Sequence, residues 1–175
     1  MKKLNLIVAA LMFGLSMLIV SCGKENDAEE NKVDGVEDND VVDSVALDVA
    51  ATYVGNMDVK LQEMPNVAIP SYENMEIRIV AVRGDAVDVA FPEVSYDLSG
   101  RIMVLPSFTA TYIPVSKQDA GSYRIGQKAY EVLIDDKSLV GSVQGTVEDG
   151  VLTLDYSIKY GSMPITLLFH FVSNK

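Results

Sequence analysis

Over the C-terminal two-thirds of the chain, apolar and polar residues alternate with the period of two that marks strands burying one face. The cleanest run sets Leu152, Leu154, Tyr156, Ile158 and Tyr160 against Thr153, Asp155, Ser157 and Lys159. Tyr53, Gly55, Met57, Val59 and Leu61 alternate in the same way with Asn56, Asp58, Lys60 and Gln62. Met75, Ile77 and Ile79 are separated by Glu76 and Arg78, and Val87, Val89 and Phe91 form a run that Pro92 stops. In the last run Ile165, Leu167, Phe169 and Phe171 share one face, and Thr166, Leu168, His170 and Val172 share the other. Turn residues lie between the runs. Asp149-Gly150, flanked by strand residues, is a strong hairpin signal. Arg83-Gly84-Asp85, Ser99-Gly100, Asp119-Ala120-Gly121 and Gly161-Ser162-Met163-Pro164 punctuate the rest. No stretch keeps helical periodicity long enough for an ordinary helix. The pattern predicts an all-β domain over residues 49–175, with about eight or nine short antiparallel strands.

Such a domain closes as an up-and-down barrel or packs as a two-sheet sandwich. Local connections throughout favour the barrel. So do glycines inside strands at Gly55, Gly126, Gly141 and Gly145, since strand glycines mark tight bends.

The N-terminal third is different. Met1, Lys2 and Lys3 precede a nearly unbroken apolar run from Leu6 to Val20. That run is shorter than the roughly 20 residues needed to span a hydrocarbon core. A basic start, a short apolar core and small residues after it predict an export signal over residues 1–21. Leu18-Ile19-Val20-Ser21-Cys22 resembles the lipobox of bacterial lipoproteins. The resemblance implies cleavage between Ser21 and Cys22 and acylation of Cys22, giving an anchor that two or three acyl chains make effectively permanent. Cys22 is the sole cysteine, so neither a disulfide framework nor a thiolate metal site is expected.

From Cys22 to Asp48 the chain carries ten Asp or Glu against two Lys and has no aromatic residue. Such a segment cannot offset its ordering entropy and is expected to be an extended acidic tether. Acidic residues soon after the acylated cysteine, Lys24-Glu25 through Glu29-Glu30, resemble the surface-export signal of Bacteroidetes lipoproteins. Asp43-Ser44-Val45 resembles the short O-glycosylation sequence of that phylum, with Ser44 as the acceptor. Together they imply an outer-membrane protein facing the cell exterior.

Within the domain, Tyr53-Val54-Gly55-Asn56-Met57-Asp58-Val59 resembles the opening strand of the calycin-like lipoproteins of Bacteroidetes. The resemblance continues through Gly141-Ser142-Val143-Gln144-Gly145, Leu152 to Ile158, Met163-Pro164-Ile165 and Phe169-His170-Phe171. It implies a lipocalin-like β-barrel of about eight strands. True lipocalins carry a Gly-x-Trp motif, and this chain has no tryptophan. Their ligand habits therefore transfer only as analogy.

Little in the sequence points to catalysis. His170 is the only histidine, so a zinc site lacks ligands and a serine–histidine pair lacks an orienting motif. Asp135-Asp136 and Glu148-Asp149 fall in turns, where solvated charge is the expected role. No glycine loop opens a helix to hold phosphate. An enzyme is not expected, nor a cofactor. The domain has fifteen acidic and ten dispersed basic residues, which disfavours nucleic acid.

Two functions are left. The barrel interior, lined by Tyr53, Met57, Leu61, Ile77, Phe91, Tyr156 and Phe169, could hold a small apolar or amphipathic ligand. Alternatively, the protein is structural or adhesive and presents loops such as Gln62 to Tyr72 to a surface protein or glycan. In a small barrel, side chains can also fill the centre.

Overall fold

A computed structural model describes residues 44–98 and 100–175. The export segment, the Ser21–Cys22 bond, the lipid-anchor cysteine and the acidic stretch as far as residue 43 lie outside the described residues. A short helix, α1 (Val45–Val49), precedes ten strands: β1 (Thr52–Leu61), β2 (Tyr72–Arg83), β3 (Ala86–Phe91), β4 (Val94–Leu98), β5 (Arg101–Leu105), β6 (Phe108–Asp119), β7 (Ser122–Ile134), β8 (Lys137–Glu148), β9 (Val151–Tyr160) and β10 (Leu167–Ser173). Eight of them close into an antiparallel barrel in the order β1-β10-β9-β8-β7-β6-β3-β2, and β4 pairs only with β5.

The alternation read from the sequence matches the burial. In β1 and β10 every second residue is buried and its neighbours are exposed, because one face looks into the barrel. The turns follow their chemistry. Asp149 and Gly150 both take positive φ, as do Asp135 and Asp136 in the β7–β8 turn, and two such residues make the hairpin turn whose twist suits flanking strands. Register shifts occur in five of the eight barrel ladders, at Gly55/Met57, Ala81/Arg83, Val87/Val89, Lys117/Asp119 and Ile125/Lys128. Bulges of this kind bend strands and add twist, which closure of a narrow barrel requires.

Two elements depart from the sequence reading. The acidic tether, expected to run to Asp48, gives way to α1. Val45, Ala46 and Val49 form an apolar stripe on it, and Ala46 and Val49 are wholly buried in the barrel core. Ser44, the candidate glycosylation site, stands half-buried at the N-cap, where its side chain makes no capping bond. The second departure is the β4–β5 hairpin, inserted between β3 and β6, which raises the strand count to ten. Its Val94, Tyr96 and Leu105 are buried in the same core.

These two elements cover opposite ends. At the helix end, Ala46 N–H donates to Gly84 O, and Tyr53 Oη donates to Val49 O at 2.9 Å. At the hairpin end, Tyr72 Oη donates to Ser95 O, and Tyr96 Oη donates to Met163 Sδ in the β9–β10 loop. The β6–β7 ladder is confined to Val115–Asp119 and Ser122–Ile125. Beyond it Lys128 Nζ crosses between the strands and donates to the carbonyls of Thr111 and Tyr112 at 2.9 and 2.8 Å.

Ser173 closes the β9–β10 edge. Tyrosines apart, it is the one buried polar side chain among the described residues, and its Oγ accepts the N–H of Leu152 at 2.8 Å where the backbone ladder has ended. Ser173→Ala is expected to leave that N–H unpaired and to cost about 1–3 kcal/mol. Urea unfolding of the variant measures this, and an unchanged midpoint would show that water replaces the hydroxyl.

Candidate functional site

The seven residues predicted to line an interior cavity all point inward, and each is at most 8% exposed. Their side chains meet one another. Tyr156 lies at the centre of an aromatic file: its ring is parallel to Phe169 at 4.5 Å and tilted against Phe91 at 4.4 Å. Phe91 stacks on Phe108 at 4.6 Å, and Phe108 meets Tyr130 at 5.4 Å. Such ring pairs add about 0.5–1.5 kcal/mol each beyond the area they bury. Tyr156 Oη donates to Met57 Sδ at 2.9 Å, and Tyr130 Oη donates to Ser157 O at 2.6 Å. Among the described residues no buried side-chain nitrogen or oxygen lacks a partner. These ring contacts run through the interior between the end where α1 packs and the end where β4–β5 packs.

Burial acts on the phenols in this file. It pushes the Tyr156 hydroxyl well above its ordinary value near 10, with the neighbouring Tyr130 adding to the effect, and it raises Tyr130 as well. A raised folded-state value means that the native protein keeps protons that the unfolded chain releases. The contribution of these phenols is thus complete below about pH 10 and declines as pH rises beyond it. Thermal midpoints are expected to be flat toward pH 9 and to fall above pH 10. Absorbance of tyrosinate should show these two of the eight tyrosines ionising only with unfolding. A single titration of all eight near pH 10 in a folded protein would contradict the buried file.

The outside of the wall has a different character. A groove of about 410 Å³ crosses the outward faces of β1, β10, β9, β8 and the middle of β7. Register places its residues in two rows. Asp58, His170, Asp155 and Gln144 are successive cross-strand neighbours, as are Lys60, Leu168, Ser157 and Ser142. Tyr156 and Phe169 border the groove through the strands that floor it, while their rings point inward.

Hydrogen bonds fix much of this surface. His170 Nδ1 lies 2.7 Å from Asp155 Oδ1, with each side chain about half exposed. The Ser71 hydroxyl donates to Asp58 Oδ1. Ser157 Oγ accepts the Ser142 N–H at 3.1 Å and lies 3.1 Å from Ser142 Oγ. The bulge in β7 sets Gly126 and Gln127 together opposite Gln144, since Ile125 pairs with Gly145 and Lys128 with Val143. Gln127 thereby comes to the groove beside Gln144. Among the described residues, no three of His, Cys, Asp and Glu converge as a metal site.

Sequence reasoning placed His170 on the strand face opposite the core, yet had no means of pairing it with Asp155. The groove was likewise not foreseen, because its residues come from five strands and each alone reads as solvated surface.

Comparison with known proteins bears on the fold. The family model of the calycin-like beta-barrel domain matches residues 49–174. No curated protein matches the chain. Among solved structures, a candidate outer membrane protein of Bacteroides fragilis is similar, with a TM-score of 0.64 and 21% identity over 76% of this chain and 53% of that one. The chain thus spans about half the length of that protein, and the likeness is one of fold.

Proposed function

The chain belongs to the calycin-like beta-barrel domain family, and from that premise we propose a non-catalytic, lipid-anchored outer-membrane protein, facing the cell exterior, that works through its outer surface. The observation that carries this reading is the interior. The aromatic file of Phe108, Phe91, Tyr156 and Phe169 fills the barrel between two covered ends. Carrying an apolar ligand inside would require expelling rings that pack against one another. A surface role requires no such movement.

The distribution of polarity supports attachment to a membrane and not insertion. A barrel that spans a bilayer is apolar outside and often polar within. Here Asp58, Lys60, Gln144, Asp155 and His170 face outward and the inside is apolar. An acylated Cys22 supplies the missing membrane contact. The tether from Cys22 enters the domain at the helix end, so the hairpin end and the outer wall are left for a partner.

Labelled fatty acid should enter the wild-type protein and not Cys22→Ser. Protease added to intact cells should remove the barrel. A barrel that is protected until the outer membrane is broken would overturn outward display.

A further inference from the structure

Building on the reading that the protein works through its outer surface, we propose that the groove over β1, β10, β9, β8 and β7 is a binding site for a neutral saccharide. Each sugar hydroxyl both donates and accepts, so a site for it needs donors and acceptors close together. The groove has both. Asp58 and Asp155 each spend one carboxylate oxygen on a neighbour, Ser71 and His170 respectively, and keep the other. With Nδ1 of His170 engaged by Asp155 at 2.7 Å, its Nε2 is left for a ligand. The side-chain amides of Gln127 and Gln144 make no hydrogen bond among the described residues, so both are available as donor and acceptor. Leu168, 38% exposed at the groove, offers an apolar contact for the C–H face of a sugar ring.

Other ligand classes fit less well. Two carboxylates against the single ammonium of Lys60 disfavour phosphate and nucleic acid. An extended peptide adding to the sheet needs an unpaired strand edge, and the floor strands β10, β9 and β8 are each paired on both sides. Leu168 is the exposed apolar side chain of the groove, and Tyr156 and Phe169 only border it, so apolar contact accompanies the polar groups and does not replace them. The groove volume, about 410 Å³, lies within the range of small-molecule sites.

The site is also pre-set. Its side chains stand on paired strands, which hold geometry better than loops. Bulges re-aim side chains, and the one in β7 has brought Gln127 across from Gln144. Gly126 allows that bulge to pass Pro114, since a methyl there would lie 2.9 Å from the proline Cγ.

The test is saturation-transfer NMR on the full chain in detergent, with pools of neutral hexose and pentose oligosaccharides as probes and pools of phosphorylated and sulfated sugars beside them. Transfer to one or more neutral oligosaccharides is expected, with a reduction of about tenfold in affinity for Gln127→Ala/Gln144→Ala and a smaller one for Gln144→Ala alone. Both side chains are exposed, so an unchanged urea midpoint should accompany the loss. No transfer to any pool, transfer only to phosphorylated or sulfated sugars, or full transfer to the double variant would each overturn the site. Surface display is read separately by protease treatment of cells, so a displayed protein that ignores sugars sinks this inference alone.

Discussion

Gly141→Ala is expected to destabilise the barrel by about 3 kcal/mol or more, although glycine-to-alanine changes at compatible sites usually stabilise by about 0.4–1 kcal/mol. The difference is steric. A methyl on Gly141 would overlap the carbonyl oxygen of Ser157 in β9 and would come within 2.7 Å of Tyr130 Oη. That same Ser157 oxygen accepts the Tyr130 hydroxyl at 2.6 Å. Tyr130 therefore lies over a glycine in the next strand, and a methyl must displace either the ring or the β8–β9 ladder. Moving the ring leaves a buried phenol short of its acceptor, a further cost of about 1–3 kcal/mol. Moving the strand breaks the longest run of regular pairing on that side, from Leu139 with Tyr160 to Glu148 with Val151. Urea denaturation measures the result. A midpoint equal to that of wild type would show that β8 and β9 approach less closely than described.

Tyr156→Ala should have an effect of similar size, about 3–5 kcal/mol, for the opposite reason. It removes the ring that links Phe91 to Phe169 and the hydroxyl bonded to Met57. The neighbours come from β3, β10 and β1, fixed by the closed barrel, and can collapse only in part. Tyr156→Phe keeps the ring contacts and loses only the bond to sulfur, so about 1 kcal/mol or less is expected. The alanine variant should also gain a dry cavity that takes xenon or benzene, as apolar engineered cavities do. A loss under about 1 kcal/mol, with no gain in xenon binding, would mean that the interior is not packed around Tyr156.

Much of this fold was legible in the sequence where a strand has one buried face. In β1, β9 and β10 the alternation named the inward residues, because period two leaves a side chain only two places to go. The Asp149-Gly150 turn was equally plain. Segments with mixed signals were harder to read. Asp48 made Val45–Asp48 look like the end of an acidic tether, whereas the stretch is helical and buries Ala46, with Val49 after it, in the core. Pro92 and Ser99-Gly100 broke up the stretch that forms β4 and β5, so a hairpin outside the barrel order could not be separated from the barrel strands.

The groove was the least legible part. Alternation puts Asp58, Gln144, Asp155 and His170 outside, but says nothing about which of them become neighbours. That depends on the register of four ladders and on the β7 bulge, which are set by turn lengths and by packing far from the groove. His170 and Asp155 are fifteen residues apart in sequence and 2.7 Å apart in space. The interior posed the converse difficulty. The sequence named Tyr53, Met57, Leu61, Ile77, Phe91, Tyr156 and Phe169 as facing one space, yet alternation cannot distinguish side chains that fill a space from side chains that line it.

That distinction is the central claim, and native mass spectrometry tests it most directly. The protein lacking residues 1–22 would be exposed to a membrane lipid extract and sprayed under non-denaturing conditions. A filled barrel predicts the bare protein mass across extracts. A stoichiometric lipid adduct, released only on denaturation, would contradict the account and return the interior to the role of a ligand pocket.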